Sequence, residues 1–235
     1  ALDNSGPNMP SAGTMALASI MTGRRASAAT GGASGALARA SADPSYRVRN
    51  SGVEHTLMGW CWKPMDTLVL AKHAKEIGLK GIEGIDRKHY KEVREMGLEI
   101  SLVGSHGFAK GPCNPEFRDE VVSKLEEAID VAAEVGCKKV ITFTGMRFEG
   151  MDRDAAARGC IDVWKRVLPK AEKRGVTLVL EHLNSRDGSH PMKGHPGYFG
   201  DDVDFCVDLI RQIGSPNFKL LFDIYHVSIM NGDVI

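Results

Sequence analysis

A chain of 235 residues, 43% hydrophobic and 26% charged, is long enough to bury a sizeable core and has the balance of an ordinary globular protein. Its 30 basic residues match its 30 acidic ones, so no net field draws it to nucleic acid or to an anionic membrane surface, and no run approaches the roughly 18 apolar residues that span a bilayer. Cys61, Cys113, Cys137, Cys160 and Cys206 are dispersed without a C-x-x-C pair, which argues against a disulfide framework or a structural zinc site and for small apolar packing residues.

Residues 1–53 are rich in Ala, Ser, Gly and Thr and carry no sustained hydrophobic period, so the segment reads as a disordered leader. Within it, Arg24-Arg25, a weakly apolar stretch from Ala26 to Leu37, and the triplets Ala38-Arg-Ala40 and Ala40-Ser-Ala42 resemble a twin-arginine export signal. No large apolar residue follows the arginine pair, and Met9, Met15 and Met21 are alternative starts. Two destinations therefore stay open, the cytoplasm and the periplasm.

From residue 54 short apolar runs alternate with amphipathic segments. The runs Thr56–Trp60, Gly81–Ile85, Glu99–Val103, Lys138–Phe143, Thr177–Leu183 and Lys219–Ile224 are predicted strands. Between them Asp66–Ile77, Lys88–Met96, Glu116–Val135, Arg153–Lys173 and Asp202–Ile213 have the three- and four-residue steps of helices; in the third, Val121, Val122, Leu125, Ile129 and Ala132 mark one face. Four helices run into glycine, at Gly78, Gly97, Gly136 and Gly175, each just before the next strand.

Repeated βα units imply parallel strands, because returning a strand in the same direction needs a crossover. No G-x-G-x-x-G follows the first strand, which weakens a dinucleotide-binding sheet. Polar residues instead end several different strands: Trp62, Glu83, His106, Thr144, Glu181, Asp223 and His226. That is how an eight-stranded (β/α) barrel assembles one site, so the fold class is α/β, a TIM barrel over 54–235. Six strands are counted where a barrel has eight. The chain after the leader is also shorter than the roughly 250 residues of a complete barrel, so we read it as truncated after about six βα units. Unpaired edges at the first and sixth strands would favour aggregation or association, a homo-oligomer included, if nothing closes the barrel.

Two segments carry the chemistry. In Leu178-Val-Leu-Glu181-His182-Leu183-Asn184 a carboxylate ends an apolar strand, which is costly unless it is paired, metal-bound or catalytic. Leu220-Leu-Phe222-Asp223-Ile-Tyr225-His226 repeats the pattern, with Asp223 and His226 three apart. Oxygen ligands on two strand ends suit Mg²⁺ or Mn²⁺.

Glu181-His-Leu-Asn-Ser-Arg-Asp187, then Phe222-Asp223-Ile-Tyr-His226 and Ile229-Met-Asn-Gly-Asp233, together with Ile141-Thr-Phe-Thr-Gly145-Met-Arg147, resemble the hydroxypyruvate isomerase branch of the xylose isomerase-like barrel superfamily. The resemblance implies an intramolecular oxidoreductase interconverting aldose and ketose through an enediolate. It makes Glu181 a ligand of the divalent metal and one of two acid–base carboxylates, Asp223 a second ligand, and His226 a contact to substrate oxygen. Asp187 matches, more loosely, an acidic residue near the carbonyl end of the substrate. It puts the other ligands and the second glutamate on strands seven and eight, where this sequence has no counterpart. The implied substrate is hydroxypyruvate or a small keto-sugar. Other readings are a ketose 3-epimerase, a metal-dependent endonuclease (disfavoured by the charge balance), and a non-catalytic sugar-binding or vestigial barrel.

The remaining candidates are weaker. His106, in Gly104-Ser-His-Gly107, either lines the site or is hydrogen-bonded within its loop. Glu83 either faces substrate or pairs with a buried cation. Of Trp60 and Trp62, one packs in the barrel and the other walls the pocket. The loop Gly188–Tyr198 holds His190, Lys193 and His195 and has the length of a lid whose lysine or histidine could meet a carboxylate.

Overall fold

The computed structural model describes residues 47–48, 52–190 and 193–232; nearly all of the segment read as a leader lies outside them. Six βα units follow one another: β1 (Thr56–Met58), α1 (Thr67–Glu76), β2 (Gly81–Glu83), α2 (Tyr90–Glu95), β3 (Glu99–Ile100), α3 (Arg118–Val135), β4 (Lys139–Thr142), α4 (Arg153–Arg174), β5 (Thr177–Glu181), α5 (Val203–Ile213), β6 (Phe218–Leu221) and α6 (Ile224–Asn231). The strands are parallel and pair in chain order, β1-β2-β3 and β4-β5-β6. A parallel bridge from Val103 to Val140 links the two sheets, with the Val103 amide donating to Lys139 O and the Ile141 amide to Val103 O. This is the strand succession of a TIM barrel, and the described residues supply six of its strands.

The helices form where the spacing puts them, and their ends follow from local chemistry. Asp66, Asp152 and Asp202 cap α1, α4 and α5 by accepting backbone amides of the first turn. Gly136 and Gly175 close α3 and α4 at φ 72° and 66°, a left-handed conformation that side chains resist. On α3, Val121, Leu125, Ala128, Ile129 and Ala132 are buried, and on α4 Ala156, Cys160, Val163, Trp164, Val167 and Ala171. They pack on the outward strand residues Ile82, Ile100, Val140, Leu178, Leu180 and Phe218. Alternate residues face the other way: Glu83, Glu99, Ser101, Lys139, Val179 and Leu221 line a cavity of about 500 Å³ on the inner face.

Every predicted strand run extends past the end of the observed strand, and three of these differences have a visible local cause. The first strand stops at Met58, and Gly59–Trp62 forms a 3-10 turn instead. The β1 ladder ends where Met58 meets Glu83, and the next β2-side residue, Gly84, has left the extended region at φ 63°. Trp60 and Trp62 therefore sit on the turn, 44% and 43% exposed, with neither packed in the barrel. The third run is paired with β2 only through Ile100, after which Val103 changes partner to β4. At the end of the sixth run Asp223 caps a helix, so the chain turns helical at Ile224.

Candidate active site at the strand ends

Glu181 is the last residue of β5 and lies in register with Leu221, the last residue of β6. Two residues on, the Asp223 carboxyl divides its work. Its Oδ1 accepts the amides of Tyr225 (2.8 Å) and His226 (3.2 Å), which starts α6, and Oδ2 stays free to face the site, 3.9 Å from His226 Nε2. Because α6 begins there, His226 is carried in its first turn to the same place. One ligand atom from each of Glu181, Asp223 and His226 lies within 4.8 Å of the others.

The orientation of the His226 ring is set by Asn184, which is fully buried at the end of the β5 motif. The Asn184 backbone amide and its side-chain Nδ2 both donate to His226 Nδ1, at 3.2 and 2.7 Å. The side-chain amide cannot be turned the other way, because Oδ1 accepts the Asp187 amide (3.1 Å) and Nδ2 also donates to Lys193 O (2.6 Å). Two donors on Nδ1 require its lone pair, so the neutral ring carries its proton on Nε2, toward Asp223. Burial holds His226 below the usual imidazole range against the opposing pull of Asp223, which favours that neutral form. In this tautomer His226 is a hydrogen-bond donor, and Glu181 and Asp223 are the pair able to offer oxygen to a cation.

Burial pushes the Glu181 carboxyl up from 4.5 to about 8, and the nearby carboxylates of Asp223 and Glu83 push the same way. Glu83, at the end of β2, is held by the Ser101 hydroxyl at 2.7 Å. Acidic oxygens crowded on a partly buried face are the donor set that a hard divalent cation relieves.

The raised Glu181 value has a consequence for the cation-free protein. Its proton is held below pH 4.5 in folded and unfolded chains alike. Between about 4.5 and 8 the unfolded chain releases it while the folded one retains it, so this site's contribution to stability is lost as pH rises through that window. In chelator, Glu181→Gln should gain a few kcal/mol over the parent between pH 5 and 8.5, read as diverging urea midpoints. Midpoints that stay parallel across the window would mean that Glu181 ionises normally.

Tyr198, fully buried, was not singled out by the sequence. Its hydroxyl donates to Glu181 O (2.9 Å) and accepts the Thr144 amide (3.0 Å), tying the ends of β4 and β5 together. The only local sign of this is an aromatic residue after Pro196-Gly197. Other predicted residues are not among the three grouped ligands. His106 donates from Nδ1 to Lys110 O (2.7 Å), which leaves Nε2 to accept the Thr142 hydroxyl (3.0 Å). Both of its ring nitrogens are thus engaged within the protein, and burial holds its pKa low. Asp187 accepts the Ser189 amide and hydroxyl within its own loop. Trp62 stands on the exposed turn after β1. The structure therefore groups Glu181, Asp223 and His226, and holds Asp187, His106 and Trp62 by other contacts.

The model of the family described as xylose isomerase-like TIM barrel matches residues 71–235. The chain belongs to that family. Among its relatives, the human (Homo sapiens) putative hydroxypyruvate isomerase is 27% identical over 195 residues, covering 80% of this chain and 63% of that protein. A 2-oxo-tetronate isomerase of Cupriavidus necator is 28% identical over 110 residues, covering 47% of this chain and 40% of that protein. The chain thus spans less than two thirds of the length of either relative. A crystal structure titled AP endonuclease, family 2, from Brucella melitensis superposes with a TM-score of 0.64 at 24% identity, over 74% of this chain and 69% of that one, and shows the shared fold. Among the described residues no helix is long and apolar enough to cross a membrane.

Proposed function

We propose that the protein is a divalent-metal-dependent isomerase that moves a carbonyl between adjacent carbons of a small 2-oxo acid or keto-sugar, with hydroxypyruvate as the first candidate. The observation that carries this reading is the meeting of the Glu181 carboxyl with a second carboxylate and an imidazole N–H at the ends of two neighbouring strands, their ligand atoms within 4.8 Å of one another. The names of the relatives, hydroxypyruvate isomerase and 2-oxo-tetronate isomerase, support the substrate class.

Isomerisation of a 2-hydroxy carbonyl removes a proton from the carbon beside the carbonyl and returns one to the former carbonyl carbon, while a hydroxyl proton passes between the two oxygens. Glu181 is the group to carry the carbon proton, as a carboxylate at the strand end that takes it from one carbon and returns it to the neighbour. The His226 Nε2–H donates to the substrate oxygen that gains negative charge, and Asn184 keeps that proton on the correct nitrogen. Glu181 and Asp223 Oδ2 would hold Mg²⁺ or Mn²⁺, which supplies Lewis-acid polarisation of the carbonyl and hydroxyl oxygens. Asp223 Oδ1, engaged by the α6 amides, keeps Oδ2 aimed at that position.

The test is isomerisation of hydroxypyruvate and of a small ketose panel by the full-length protein, with Mn²⁺, with Mg²⁺, and after chelation. Turnover should vanish on chelation and return with the metal. Turnover indifferent to chelator, or absent from protein shown to bind Mn²⁺, would sink the isomerase reading.

A further inference from the structure

The loop after β5 carries three side chains able to bind an anion or a hydroxyl, His190, Lys193 and His195, and the structure distinguishes among them. The His195 amide donates to Asn184 O at 2.8 Å, and the Tyr198 amide donates back to His195 O at 2.9 Å. The preceding Gly194 lies so close to Asn184 that a Cβ there would stand 2.3 Å from Oδ1. The backbone of His195 is thus clamped between Asn184 and Tyr198, the two residues that position His226 and the Glu181 strand end.

Its imidazole reaches across the mouth. The ring lies on Phe108 from the loop after β3, centroids 4.1 Å apart, and Phe108 packs edge-on against Phe143 at the end of β4. The same imidazole ring lies 6.0 Å, centroid to centroid, from the His226 ring. Among the described residues neither ring nitrogen of His195 makes a hydrogen bond, although the ring is partly buried. By contrast Lys193 is exposed, and its carbonyl is used to anchor Asn184. A rigidly mounted, half-covered imidazole with two unused nitrogens, one ring away from the proposed oxyanion donor, is placed for a ligand.

We infer that His195 is a substrate-binding residue, its ring nitrogen hydrogen-bonding an oxygen at the end of the substrate remote from the proton transfer, with Phe108 as its fixed backing. This rests on the isomerase reading and adds the residue that measures the substrate's far end. The oxygen belongs either to the carboxylate of a 2-oxo acid or to a terminal hydroxyl of a keto-sugar. Both accept the same bond, and an imidazole serves either. His195 makes no contact with the migrating proton, so its removal weakens binding of ground state and transition state alike.

In the full-length Mn²⁺-loaded protein, His195→Phe keeps the stack on Phe108 and removes the nitrogens. KM should rise about 10- to 100-fold with kcat within about threefold, and His195→Gln, which restores an amide donor, should recover much of the loss. His195→Ala serves as a second truncation if the larger ring disturbs the loop, and Mn²⁺ affinity should be unchanged in all three. Hydroxypyruvate and neutral dihydroxyacetone are the two substrates compared. A KM rise for the acid alone assigns the contact to a carboxylate, and a rise for both shows that the ring binds the remote oxygen of either class, carboxylate or terminal hydroxyl. Wild-type KM in both truncations, with metal-dependent turnover intact, would overturn the inference and leave the isomerase standing. A wild type that neither converts hydroxypyruvate nor binds it by calorimetry brings down both.

Discussion

Replacing Glu181 with glutamine in the full-length protein should cut isomerisation by about 10²–10⁴-fold while leaving the fold intact. The substitution conserves volume, and the Glu181 backbone carbonyl that accepts the Tyr198 hydroxyl is untouched. What is lost is a base: an amide neither takes the carbon proton nor offers charged oxygen to a cation. Mn²⁺ affinity should fall in parallel, because Asp223 Oδ2 would then be the one free carboxylate oxygen of the pair. The control is built into stability, since the variant should be the more stable protein in chelator above pH 5. Activity loss together with a gain in cation-free stability marks a functional group held at a cost to the fold. Undiminished turnover would place the proton transfer elsewhere.

Trp164→Ala should cost about 3–5 kcal/mol of unfolding free energy, the range for removing a large aromatic from a core. Trp164 is among the largest fully buried side chains, packed at 4.9 Å between ring centroids on Phe218 of β6. Its indole N–H donates to Thr142 Oγ1 (3.0 Å), and the Thr142 hydroxyl in turn donates to His106 Nε2. The truncation opens a cavity between α4 and the sheet and also frees the chain of hydrogen bonds that holds the β3 loop. Urea denaturation measures the loss, and less than about 1 kcal/mol would mean the helix–sheet layer can collapse around the gap. His106 should then show faster hydrogen exchange in its loop, because its structural role runs through Thr142.

The two substitutions probe different layers. Outward strand residues and helix faces, typified by Trp164, supply stability. Inward and end-of-strand residues, typified by Glu181, supply chemistry and carry the electrostatic cost. This division follows from the alternation of side chains along a parallel strand, which places neighbours in sequence on opposite faces. Leu180 is buried under the helices, and Glu181, the next residue, faces the mouth.

What the amino-acid sequence determined by itself was whatever depends on neighbours a few residues apart. The βα alternation, the buried face of α3 and the glycine ends of α3 and α4 follow from periodicity and backbone freedom. The glutamate ending β5 and the aspartate after β6 stood out because charged residues break apolar runs. The start of α6 was also legible in principle, as an aspartate before Ile-Tyr-His-Val, but Asp223 as a helix cap was masked by its more conspicuous reading as a ligand. Only the tertiary structure decided the rest. That Asn184 directs two donors at His226, 42 residues away, and so selects its tautomer, is a through-space fact with no local period. The same holds for Tyr198 bridging to Thr144, for His106 being engaged by Thr142 and Lys110, and for His195 meeting Phe108. Each of these contacts joins different loops or strand ends. Pattern along one strand shows which side chains reach the mouth, but only the packing of several strands shows what they meet there.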